Sequence, residues 1–74
     1  MPKLPSLSGD ELIKALTKAG FQIVRQKGNH LSMRKAEFRA VIPLHKELAK
    51  GTLVGILKQC GLTKEDLLSI LEKK

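Results

Sequence analysis

The hydrophobic period of this chain changes twice, and that constrains its fold more than any other feature. Leu12, Ile13, Leu16 and Ala19 recur at helical spacing, with Lys14 and Lys18 turned away. From Phe21 to Ile42 the pattern is close to alternating, the period of a half-buried strand. Helical spacing then returns, first in Leu53, Ile56, Leu57 and Cys60, then in Leu67, Leu68, Ile70 and Leu71. This order predicts helices segregated to one face of an antiparallel sheet, an α+β domain.

Local signals set the boundaries. Ser8-Gly9-Asp10-Glu11 fits a capping box, in which the Ser8 side chain caps the first helix and Glu11 reaches back. Gly20 supplies a left-handed stop. Phe21 to Arg25 reads as a first strand, Gln26-Lys27-Gly28-Asn29 as a turn, and His30 to Arg34 as a second strand. Lys35-Ala36-Glu37 makes another turn, and Phe38 to Ile42 a third strand that Pro43 stops. Leu44 to Lys50 reads as a connector and Thr52 to Cys60 as a second helix ended by Gly61. Thr63 then caps a third helix with Glu65 and Asp66 in its first turn, where the helix dipole favours acids. The expected order is α-β-β-β-α-α in a single domain over residues 1–74, with residues 1–7 as an irregular arm. Alternation turns Phe21, Ile23, Leu31, Met33, Phe38, Ala40 and Ile42 toward the helices. It leaves Gln22, Val24, His30, Ser32, Arg34, Arg39 and Val41 on an open face. A three-stranded antiparallel sheet backed by helices, with a basic open side, resembles a double-stranded-RNA-binding domain in outline.

Charge narrows the partner. The 74 residues carry 14 Lys and Arg against 7 Asp and Glu, a formal net charge of +7. Residues 25–50 hold Arg25, Lys27, Arg34, Lys35, Arg39, Lys46 and Lys50 against only Glu37 and Glu47, so the excess sits in the middle of the chain. A field of that sign attracts nucleic acid and speeds encounter with it.

Several chemistries are excluded. The single cysteine, Cys60, forms no disulfide within the chain and founds no Cys-type zinc site. Its place on the apolar side of the second helix makes it a core residue. The two histidines have no HExxH arrangement, and there is no phosphate-loop motif. Ser8 and Ser32 lack the base and carboxylate of a triad. No apolar run approaches a membrane span and the N-terminus carries no secretory signal, so a soluble, cytoplasmic protein is expected. Helices two and three, joined at Gly61-Leu62-Thr63, have a helix-turn-helix outline. A recognition helix is usually basic, but the third sets Glu65, Asp66 and Glu72 against Lys64, Lys73 and Lys74, which argues against DNA reading.

His30 is the first candidate for chemistry. It follows a Gly-Asn turn, faces away from the core, and has Arg25, Lys27, Arg34 and Arg39 as basic neighbours. An imidazole can take or give a proton near neutral pH. RNA cleavage requires a base for the 2′-hydroxyl, an acid for the leaving oxygen and cations for the phosphate. His45, in Pro43-Leu44-His45-Lys46, is the second candidate, as a partner acid or base or a phosphate ligand. Arg25, Lys27, Asn29, Arg34, Arg39, His45 and Lys46 are the candidate RNA contacts. Two histidines without a clustered carboxylate suggest no metal site.

These motifs together resemble the HicA family of toxins. Leu7-Ser8-Gly9-Asp10-Glu11-Leu12 looks like the family's opening. Gly20-Phe21 and Arg25-Gln26-Lys27-Gly28-Asn29-His30 resemble its motif of arginine, basic turn and Gly-Ser-His, with Asn29 where Ser is usual. Pro43-Leu44-His45 resembles the proline and histidine after the third strand. Lys50-Gly51-Thr52-Leu53, Ile56-Leu57-Lys58 and Gly61-Leu62 resemble its closing helix. The resemblance implies a double-stranded-RNA-binding-like fold and an mRNA interferase, a metal-independent endoribonuclease without cofactor. It places the catalytic histidine on His30. It also implies neutralisation by a cognate HicB-type antitoxin; the free toxin is expected to be a monomer. A non-catalytic RNA-binding module is the alternative reading of the same basic face.

Overall fold

A computed structural model of the chain describes residues 5–72. Residues 1–4 of the expected arm, and Lys73 and Lys74, lie outside the described residues. The order is α1 (Gly9–Lys18), β1 (Gln22–Lys27), β2 (His30–Lys35), β3 (Phe38–Pro43), α2 (Lys50–Cys60) and α3 (Lys64–Glu72). The strands form one antiparallel sheet, β1-β2-β3, with β2 in the centre. The α+β architecture read from the sequence is the one observed, and it has the double-stranded-RNA-binding outline.

The caps explain why the helices start where they do. Ser8 Oγ accepts from the Glu11 backbone N–H at 3.1 Å, and the Ser8 N–H donates to Glu11 Oε1 at 3.0 Å, closing the expected box. Thr63 and Asp66 repeat the device at α3. The Asp66 N–H donates to Thr63 Oγ1, and the Thr63 N–H donates to Asp66 Oδ2. These bonds hold the Asp66 carboxyl below its ordinary pKa. Helix α2 begins two residues earlier than the sequence suggests. Its N-cap, Ala49, makes no side-chain cap bond, so no cap residue marks the start. Gly61, at φ 70°, ends α2 in the left-handed conformation.

The core lies between the sheet and the helices. Leu12, Leu16, Met33, Ile42, Leu53, Leu57 and Leu67 are its most deeply buried side chains, and Cys60 is buried beside them. Burial pushes the Cys60 thiol up to about 11, which keeps it protonated and inert. Helix α2 lies against β3, α1 touches β1 and β3, and α3 packs on α1 and α2. From the expected arm, Pro5 to Leu7 are irregular, but Leu7 is buried and its carbonyl accepts from the Leu48 N–H at 2.8 Å.

Three residues expected inside are not. Ile23 pairs with Met33 and Phe38 with Lys35, so both belong to the helix side by register. They are nonetheless 57% and 40% exposed, because they sit at the rim of the sheet, beyond the helices' cover. The Phe38 ring lies over Gly61, where a Cβ would come within 2.7 Å of its Cε1. Leu71, near the end of α3, is also exposed.

Candidate nucleic-acid interface

Two tight hairpins and one bulge build the open face. The first hairpin turns through Gly28 and Asn29, with Gly28 at φ 59°. This turn sets Lys27 opposite His30. The second turns through Ala36 and Glu37, and there Ala36 occupies the left-handed region at φ 53°, a strained place for a residue with a Cβ. Beyond these turns, His30 pairs with Pro43, Ser32 with Val41 and Arg34 with Arg39.

The bulge decides what shares that face. Pairing runs from Ile23↔Met33 directly to Arg25↔Ser32, so Val24 is the extra residue. Alternation carried unbroken from Ile23 would turn Arg25 and Lys27 toward the helices. The bulge reverses the phase, and Arg25 and Lys27 join Ser32 and His30 on the open side. Arg25, Lys27, Gly28, Asn29, His30 and Ser32 line a shallow hollow of about 480 Å³. His30 is exposed and Ser32 half buried.

Charge on the sheet is one-sided. None of the three strands contains an acidic residue, while they carry Arg25, Lys27, Arg34, Lys35 and Arg39. Lys35 points to the helix side and donates to the Ala19 carbonyl at 2.6 Å, where a cation complements the end of α1. The other four belong to the open face by register.

The connector after β3 runs beside the first hairpin. The Leu44 N–H donates to the Asn29 carbonyl at 2.7 Å, and the His45 carbonyl accepts from the Gly9 N–H at 2.9 Å. Close approach of α1 to this segment requires glycine at position 9, where a Cβ would run into the Pro43 carbonyl oxygen. His45 and Lys46 are exposed on this segment but do not line the hollow around His30. The expected site residues therefore fall into three groups: Arg25, Lys27 and Asn29 with His30, Arg34 with Arg39 farther along the sheet, and His45 with Lys46 on the connector. Ser32, in the hollow, was not among the expected contacts, although its position two residues from His30 puts it on the same face. A separate hollow of about 300 Å³, between Pro5-Ser6 and the start of α2, balances Lys50 against Glu47 and holds no histidine. The described residues contain no group of three or more His, Cys, Asp or Glu placed to hold a metal ion, and no helix long and apolar enough to cross a membrane.

The fold and this surface define a small α+β domain that presents a cationic, acid-free sheet face beside an exposed histidine. The family described as HicA toxin of bacterial toxin-antitoxin matches residues 9–62, from the first residue of α1 to just past the end of α2. The chain belongs to the HicA toxin family. No curated protein and no solved structure matches it. Membership makes the protein a toxin of a toxin–antitoxin pair, with a cognate antitoxin as its partner.

Proposed function

We propose that this toxin is a metal-independent endoribonuclease that cleaves mRNA, acting as a single domain in the cytoplasm, with His30 as its proton-transfer residue. The observation that carries the reading is the hollow that gathers His30 with Arg25, Lys27 and Ser32 on an acid-free face. Cleavage by the neighbouring 2′-hydroxyl needs no metal and no water. The 2′-oxygen attacks phosphorus as its proton leaves, and the bond to the 5′-oxygen breaks as that oxygen gains a proton. His30 handles the proton transfer. The Arg25 guanidinium and Lys27 ammonium hold the phosphate and offset the charge that builds on its oxygens. The Gly28-Asn29 turn leaves room for the RNA backbone, since nothing lies within 4 Å of where a Gly28 Cβ would be. Family membership supports the same reading, because HicA toxins are known for cleaving mRNA. A HicB-type antitoxin that covers the His30 face would silence the toxin by occupying the same cationic surface.

The test is an RNA cleavage assay of wild type beside His30→Ala in the presence of a chelator. Wild type is expected to cleave and the variant to bind RNA without cleaving it, with an unchanged melting temperature. A folded His30→Ala protein that cleaves as well as wild type would overturn the assignment. Binding without cleavage by wild type, with or without added metal, would make the domain a non-catalytic RNA-binding module.

A further inference from the structure

Arg34 and Arg39 face each other directly across β2 and β3 on the open side of the sheet. Like charges placed opposite one another in an antiparallel pair oppose folding. No carboxylate in the strands relieves them. The Arg34 side chain is nevertheless held in place, its Nε donating to the Ala36 carbonyl at 3.1 Å. That carbonyl belongs to the one residue of the described chain, glycines apart, with a positive φ. A strained turn thus orients one of two cations that repel each other. Such an arrangement suits an anion supplied from outside.

Arg39 of this pair is joined to the His30 hollow. A second hollow of about 310 Å³ is lined by Val24, Arg25, Ser32, Arg39 and Val41 among others, and it shares Arg25 and Ser32 with the first. Arg34 lines a third hollow, with Gln22, Val24 and Ala36 among others, which adjoins the second at Val24. His30 and Arg34 lie four residues apart on that strand, which is about 13 Å at strand rise. That distance is roughly the span of two nucleotides of extended single strand. Val24 and Val41 are 58% and 46% exposed and flank the Ser32 position between the two charged ends, offering an apolar floor to the intervening nucleotide.

We propose that Arg34 and Arg39 form a second phosphate subsite, which holds a single-stranded RNA along β2 with a phosphate about two nucleotides from the one at His30. This rests on the reading of the face as an RNA site, and it adds the direction in which the strand lies and the length that it must have. Arg34 and Arg39 are positioning residues. They hold the substrate while His30 meets the reacting atoms.

The test measures binding of fully 2′-O-methylated oligonucleotides, which cannot be cleaved, to wild type, Arg34→Gln and Arg39→Gln. A dinucleoside monophosphate reaches only the His30 hollow, whereas a pentanucleotide reaches both. Each substitution is expected to weaken the pentanucleotide about tenfold and leave the dinucleoside monophosphate unaffected. The slope of log K against log salt for the pentanucleotide should fall by about 0.7 for the one phosphate lost. The melting temperature of either variant should hold or rise, because the repulsion is relieved; a merely structural role would lower it. Equal losses at both lengths, or none, would overturn the subsite. A loss of antitoxin binding with neither oligonucleotide affected would assign the pair to a protein contact and overturn it as well. Wild type that binds with the expected length dependence and cleaves nothing would refute the nuclease reading and leave the subsite standing.

Discussion

On the helix side of the sheet, Leu31, Met33, Ala40 and Ile42 are all buried. On the other side, Arg25, Lys27, His30, Arg34 and Arg39 stand in solvent with Ser32 half buried among them. The two sets alternate along the same strands, one peptide unit apart. The inner set is chosen for volume and carries no charge. The outer set does little for packing, and its Arg34–Arg39 opposition works against folding. Stability is therefore written on one face and the proposed RNA chemistry on the other, and substitutions should separate the two.

The inner face should break first. Ile42 is fully buried at the centre of the packing, so Ile42→Ala should cost about 2–5 kcal/mol. Denaturant unfolding should show a loss that is a large part of the roughly 5–15 kcal/mol available to a small domain. Gly9→Ala ranks next. The added methyl meets the Pro43 carbonyl and lies 3.0 Å from the Leu44 Cα, and backbone on both sides leaves little room to give. Overpacking of this kind costs about 1–3 kcal/mol, again readable as a shift in denaturation midpoint.

The outer face answers to position rather than to composition. Exchanging Arg25 and Gln26 keeps every residue type and the net charge, and moves the guanidinium to the other side of the strand. RNA cleavage should fall about tenfold while the melting temperature stays within the range of a surface change. Unchanged cleavage would show that only overall charge matters and would dissolve the distinction between the faces.

Two smaller effects sharpen the picture. Ala36→Gly removes the cost of a Cβ in the left-handed turn, and should stabilise the domain by about 0.5–1 kcal/mol in thermal unfolding. The buried Cys60 thiol ionises near 11 in the folded protein, against an ordinary value of 9.0. Its contribution is complete below pH 9.0, where both states hold the proton, and is lost as pH rises toward about 11, as the unfolded chain ionises first. Melting temperature should therefore fall more steeply between those values for wild type than for Cys60→Ala. Equal slopes would mean that the thiol is open to solvent.

Much of this was legible in the sequence, for reasons that are local. The Ser8–Glu11 box, the Gly20 and Gly61 stops and the alternation of Leu31 and Met33 each depend on residues within a few positions of one another. The start of α2 was not, because Ala49 makes no side-chain cap that a reader could find. The exposure of Ile23 and Phe38 depends on how far the helices reach over the sheet, which alternation does not encode. His30 had its place on the face from the pattern of β2 alone. The company it keeps did not, since Arg25 and Lys27 join it only through the pairing of β1 with β2.

The bulge at Val24 also governs how relatives of this chain should be compared. It acts as a half-period delay, so the residues before and after it follow opposite inside–outside rules. Deleting Val24 itself would restore a regular strand and keep Arg25 opposite Ser32. Deleting Gln26 or Lys27, between the bulge and the turn, would instead carry Arg25 opposite Leu31 and turn it toward the helices. A relative with a regular first strand must carry its arginine one position from where a gapless alignment puts it. Register, rather than residue identity at a column, is the quantity to match.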